Sequence, residues 1–198
     1  LYSLDFLAQD PILIPGMPAY FRKEEIIHDG KRYRKYNDYL TIGGSFFNSS
    51  LRSAGQQGVG LDFHFHIRRQ YFQTGIAISG NKFLENNHTQ LRFGYGYRKE
   101  TVKYNLAFFG GPTFFTGVYG VPDTAGTYRP EFYQGIGAYV CAQAVKKFAY
   151  DMGIGAEVFA EINYKQSVVG IKLLLFFSGA YRGVKRNYNP NVRSENKK

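Results

Sequence analysis

The feature that most constrains this chain is a period of two that recurs about eight times. Leu91, Phe93, Tyr95 and Tyr97 alternate with Arg92, Gly94, Gly96 and Arg98, and Val59, Leu61, Phe63, Phe65 and Ile67 alternate with Gly60, Asp62, His64 and His66. Successive side chains of a β-strand point to opposite faces, so each stretch reads as a strand with one bulky apolar face and one small or polar face. The pattern predicts strands near residues 38–47, 58–67, 71–80, 90–98, 102–111, 133–144, 148–163 and 167–177. Helices do not cross a membrane here. The uncharged run Tyr104 to Val121 holds four Gly and Pro112 and is too broken for a spanning helix.

Eight strands with unlike faces close into a small barrel, and composition decides which face points out. The second face is rich in Gly, Ala and Ser, interspersed with Asp62, His64, His66, Arg92, Arg98, Glu157, Glu161 and Lys172. Small residues suit a crowded interior, and mixed-sign charges pair across it, because unpaired buried charges are costly. The apolar face carries Tyr and Phe near several strand ends, as an aromatic girdle requires. A soluble barrel would place the apolar face inside and the small residues in water. A mean hydropathy of −0.33 is compatible with a membrane barrel, in which only every second residue meets lipid. The expected fold is therefore all-β: an eight-stranded antiparallel transmembrane β-barrel with an ordered N-terminal lead-in and a basic C-terminal tail.

The chain divides into a lead-in over residues 1–37, a barrel over 38–177 and a basic tail over 178–198. The lead-in carries Pro11, Pro15 and Pro18 and then a mixed-charge stretch from Arg22 to Lys35, which reads as irregular. Leu1 to Ala8 contains Asp5 and lacks a basic start, so no signal peptide is visible and the chain reads as processed. Connections between strands run long, short, long, short, very long, short, short. Tight turns are expected at Arg68-Arg69-Gln70, Lys99-Glu100-Thr101 and Val145-Lys146-Lys147. A polar loop is expected over 48–57, and the longest connection over 112–132, broken by Pro112, Pro122 and Pro130. Short turns face the periplasm in bacterial barrels, which would put both termini there.

In strand number, face alternation and loop asymmetry, residues 38–177 resemble the small eight-stranded outer-membrane proteins of the OmpA and OmpX type. The Tyr-, Asn- and Lys-rich composition is similar to that of outer-membrane proteins of the Bacteroidota. The resemblance implies an outer-membrane location and says little of activity. It has one departure: Phe177 is followed by an extension, where such barrels usually end on an aromatic.

Chemistry is sparse. His64 and His66 share a strand face near Asp62, yet no CxxC or HExxH pattern accompanies them, so they read as interior hydrogen-bonding groups and no metal or cofactor is expected. Ser79 and His88 flank one loop, but nothing marks Ser79 as an activated nucleophile. Gly135-Ile136-Gly137 and Gly153-Ile154-Gly155 precede no helix and are not nucleotide loops. Cys141 stands alone and reads as a small buried residue. The net charge of +10 is spread over turns, tail and lead-in, which favours lipid phosphates or acidic proteins over nucleic acid. Eight strands leave a lumen just wide enough for side chains. The expectation is a non-enzymatic accessory or scaffold barrel of a multi-protein outer-membrane complex, bound to outer-membrane lipid and to other outer-membrane or periplasmic proteins. Its docking residues are expected at Tyr20, Phe21, Phe114, Phe115, Tyr119 and Tyr128, with a small pore or a lipid-modifying enzyme as alternatives.

Overall fold

A computed structural model describes residues 25–28, 31–50, 52–67, 70–80, 87–122 and 128–184. These residues form two units, residues 36–180 and the flanks on either side of them. In the larger unit β3 (Tyr39–Ser49), β4 (Arg52–Ile67), β5 (Gln70–Gly80), β6 (Asn87–Glu100), β7 (Tyr104–Pro122), β8 (Tyr128–Ala149), β9 (Met152–Asn163) and β10 (Ser167–Ser178) close an antiparallel barrel, with β10 paired to β3. In the flanks, β1 (Glu25–His28), β2 (Lys31–Arg34) and β11 (Tyr181–Val184) form a three-stranded sheet with β2 at its centre. The stretch expected to be irregular up to Lys35 thus contains two strands, and Tyr181 opposite Tyr33 starts the ladder that adds the third.

The cross-strand registers fix the barrel's size. Following partners round the ring from Lys146 leads through Ile154, Leu175, Ile42, Leu61, Ile76, Leu91 and Phe114 back to β8 at Ile136, ten residues from the start. With strands about 4.8 Å apart, that offset tilts them by about 40° and gives a backbone radius of about 8 Å. One layer of side chains fills such a cylinder. Its closure leaves no strand edge within the ring, as lipid demands.

The outer face is the apolar one. Ile42, Leu61, Ile76, Leu91, Phe93, Leu106, Phe108, Val158, Ile171 and Leu173 are all exposed, whereas the buried set includes Asp62, His64, Arg92, Glu157 and Lys172. This inversion of a soluble protein is stable only where hydrocarbon replaces water, so the barrel spans a membrane.

Several strand boundaries differ from the sequence expectation; the turn expected at Lys99-Glu100-Thr101 is displaced, since β6 runs to Glu100 and the turn lies at 101–103. The connection expected over 112–132 is a hairpin in which β7 and β8 stay paired from Tyr104–Lys146 to Pro122–Tyr128. Pro112 is tolerated inside β7 because it faces outward and the β6–β7 ladder skips the positions opposite Gly111 and Pro112, where a proline has no N–H to donate. The turn expected at Val145-Lys146-Lys147 lies instead at Tyr150 and Asp151, after an irregularity between Lys147 and Ala149. The polar loop expected over 48–57 is mostly β4, which begins at Arg52 and carries its polar residues at the rim. The Arg68-Arg69 part of one expected turn lies outside the described residues.

Candidate functional site

Among the described residues the buried polar chemistry gathers in the lumen, and the β-pleat explains why. Every second residue of each strand points inward, so residues far apart in sequence meet across about 8 Å of radius. Four cations, Arg92, Arg98, Lys147 and Lys172, and four carboxylates, Asp62, Glu100, Glu157 and Glu161, are buried there.

At the end nearest the 101–103 turn, Glu100 is the hub. It pairs with Arg98 at 3.0 Å and with Lys147, and its Oε2 accepts the Tyr36 N–H at 2.7 Å. Tyr36 itself lies in the left-handed region, at φ 54°. Arg98 also donates to Asn105 Oδ1 and to the Asn37 carbonyl, both at 2.6 Å, and its guanidinium lies 4.3 Å from the Tyr39 ring centroid. Lys147 stands 4.1 Å from the Tyr150 ring centroid.

In the middle, Tyr39 stacks on His64 with centroids 4.1 Å apart and donates to Gln143 Oε1 at 3.2 Å. Gln143 in turn donates to Glu157 at 2.5 Å. Lys172 Nζ bridges Asp62 at 2.5 Å and Glu157 at 2.9 Å, and Arg92 approaches Glu157 at 3.6 Å from the other side. Tyr139 donates to Gln73 at 2.9 Å, closing the section together with Phe109 and Phe159.

Toward the opposite end, Arg92 Nε donates to Gln90 Oε1 at 3.1 Å and Gln90 donates to Glu161. The His88 ring contacts Gln90 through Nε2 and the Tyr133 hydroxyl through Nδ1, both at 2.9 Å. Phe115 packs against His88, Tyr133 and Tyr164 and seals this end. Each layer is thus plugged by a side chain that another side chain holds. The arrangement binds its own charges to one another across the lumen.

The structure brings together seven of the eight interior residues named from sequence: Asp62, His64, Arg92, Arg98, Glu157, Glu161 and Lys172 are all buried in the lumen. His66 is half-buried at the rim, where its ring Nδ1 lies 2.9 Å from Asp38. Sequence reasoning missed Glu100 and Lys147, which had been placed in turns, and Gln73, Gln90, Asn105 and Gln143. All six fall in phase with the inward positions of their own strands, so extending the alternation by two residues past Arg98 and three past Ala144 would have found the charged pair.

The docking residues fare differently. Phe115 is fully buried and offers no surface, because its strand position is inward. Phe114, its outward neighbour, is exposed within the apolar face. Tyr119 is half-buried and donates to Glu131 at 2.6 Å. Tyr128 opens β8, and Tyr20 and Phe21 lie outside the described residues. Ser79 donates to the main-chain oxygen of His88 at 3.3 Å, while the His88 ring is engaged inside the barrel, so the pair is not a nucleophile and its base.

No family model matches the sequence, and no curated protein is significantly similar to it. Solved structures do match. Ail, the attachment invasion locus protein of Yersinia pestis, is 11% identical with a TM-score of 0.52, over 73% of this chain and 97% of Ail. Neisserial surface protein A is 10% identical with a TM-score of 0.57, over 71% of this chain and 96% of that protein. Taken with the closed ring of eight strands and the inverted faces, these matches give the chain the fold of the small eight-stranded outer-membrane β-barrels.

Proposed function

We propose that the chain is a non-enzymatic barrel subunit that anchors a larger protein assembly in the outer membrane, with the β7–β8 hairpin as its docking element and both flanks on the periplasmic side. The filled, charge-balanced lumen favours an anchor over a conduit. One observation carries the reading: β9 pairs with β8 only from Gly137 onward, so β8 continues toward Tyr128 with β7 as its one strand neighbour among the described residues. That segment rises roughly 20 Å past the end of β9. Along it Arg129, Pro130 and Glu131 are exposed, and Phe132 is 79% exposed. A strand edge with an exposed aromatic anchor is a ready site for strand addition by a partner.

A second reading uses the same hairpin for attachment to a ligand beyond the cell, as the name of the Ail neighbour suggests for that protein. Both readings are tested by placing a photo-crosslinking amino acid at Phe132 in the native host and purifying in mild detergent. A subunit gives one discrete crosslinked envelope protein in stoichiometric amount, and that protein no longer co-purifies with the barrel when residues 118–132 are replaced by a tight turn. Recovery of the barrel alone, with no crosslink, refutes the subunit reading.

A further inference from the structure

Inside the barrel every cation has a carboxylate within ion-pair distance. At one end of its outer surface three do not. Lys99 near the end of β6, Lys103 in the following turn and Lys146 on β8 are all exposed, and none forms an ion pair among the described residues. Glu100, their neighbour, is turned inward to Arg98 and Lys147, and Asp38 is held by His66.

Register brings the three lysines together. Tyr104 lies opposite Lys146, Leu106 lies opposite Lys99, and the Lys103 carbonyl accepts the Lys147 N–H at 2.7 Å. Lys99 on β6, Lys103 just before β7 and Lys146 on β8 therefore lie around the exposed Tyr104. This is the level where the apolar belt ends, and where tyrosine and lysine meet lipid headgroups.

A second feature continues from the cluster into the belt. Above Lys146 the outward positions of β8 are Ala144, Ala142, Val140 and Ala138, between Phe108 on β7 and Ala156, Val158 and Ala160 on β9. The outward positions of β6 and β10 are bulkier: Leu91, Phe93, Tyr95 and Tyr97, and Ile171, Leu173, Leu175 and Phe177. The run of alanines leaves a shallow channel that leads from the ammonium groups toward the bilayer centre, the shape an acyl chain fills below its headgroup.

We propose that this surface binds one anionic phospholipid, with its phosphate on Lys99, Lys103 and Lys146 around Tyr104 and an acyl chain lying in the alanine channel. Juxtamembrane cations attract anionic lipid individually, and here three act on one headgroup.

The chain has no tryptophan, so Phe108→Trp beside the channel provides a single fluorescent reporter. The full chain is refolded into phosphatidylcholine bilayers containing phosphatidylglycerol, with bromine quenchers on the acyl chains of one lipid or the other. Phosphatidylglycerol is expected to be enriched at the reporter by at least about fivefold over its bulk fraction. The enrichment is expected to fall to about one in Lys99→Gln/Lys103→Gln/Lys146→Gln and at a Phe63→Trp reporter across the barrel. Should Phe108→Trp not fold, judged by heat-modifiable gel mobility, Tyr97→Trp faces the same lysines. An enrichment near one with all three lysines present, or one unchanged in the triple variant, overturns the proposal. Displacement of the brominated lipid by millimolar inorganic phosphate also overturns it, since the cluster would then read free phosphate and not a lipid.

Discussion

Replacing Lys172 by methionine removes the ammonium that bridges two buried carboxylates while keeping the aliphatic stem. Lys172, Asp62 and Glu157 are each at most 1% exposed, so no solvent replaces the lost charge. Breaking a buried pair by deleting one partner typically costs about 3–5 kcal/mol, chiefly because the partner is left charged and uncompensated. Here two carboxylates are stranded, but Glu157 still accepts from Gln143 and faces Arg92 at 3.6 Å, which places the expected loss near the low end, about 3 kcal/mol. Asp62 has no such second cation within 4 Å among the described residues. Pairing Lys172→Met with Asp62→Asn restores neutrality and should recover about 1.5 kcal/mol of that loss, and Asp62→Asn alone completes the double-mutant cycle that gives the coupling energy. The assay is equilibrium urea unfolding in phosphatidylcholine vesicles, followed by heat-modifiable mobility, with Lys103→Gln as a surface control expected to stay within about 0.5 kcal/mol. A loss below about 1 kcal/mol for Lys172→Met would refute the reasoning. It would mean that water reaches the middle of the lumen and screens the pair, and the filled barrel would have to be read as a wet one.

Two neighbouring glycines should respond oppositely in the same titration. A Cβ on Gly43 would sit 2.0 Å from the Leu173 carbonyl oxygen, so Gly43→Ala is expected to cost about 1–3 kcal/mol, whereas Gly44 has nothing within 4 Å and Gly44→Ala should be neutral or stabilising by up to about 1 kcal/mol. Cys141 is 2% exposed and is expected to resist a membrane-permeant maleimide until urea unfolds the barrel; rapid labelling of folded protein would contradict its placement in the core.

How much of this was legible in the sequence depends on what each residue's type reports. Leu91 to Arg98 declares both strand and facing, because a bulky apolar residue outside and a small or charged one inside leave no second register. The hairpin did not declare itself, because Pro112, Gly117, Gly120 and Pro122 are the residues that ordinarily end a strand. Pro112 survives inside β7 only through a gap in the ladder to β6, a fact of three-dimensional pairing that no local window contains. Lys146-Lys147 misled for a related reason. Adjacent lysines look like a wet turn, but one faces the membrane rim and the other the lumen, where its partner Glu100 lies on a different strand. The network's long-range pairs, such as Lys172 with Asp62, follow from closure of the ring and could be named from alternation only as members, not as partners.

The small sheet of β1, β2 and β11 has a consequence for how the molecule is made. Each barrel hairpin can pair as soon as its second strand leaves the ribosome or reaches the membrane. The ladder that joins Tyr33 to Tyr181 cannot, since it spans the whole barrel-forming chain, and neither can the seam between β3 and β10. Non-local ladders require loop closure before any contact rewards it, which makes them slow. Yet these two ladders draw on the same ends of the chain. Whichever forms first confines the termini of the other, so a small sheet formed before the seam would act as a clasp, hastening closure and shortening the time for which the β3 and β10 edges stand open to the wrong partner.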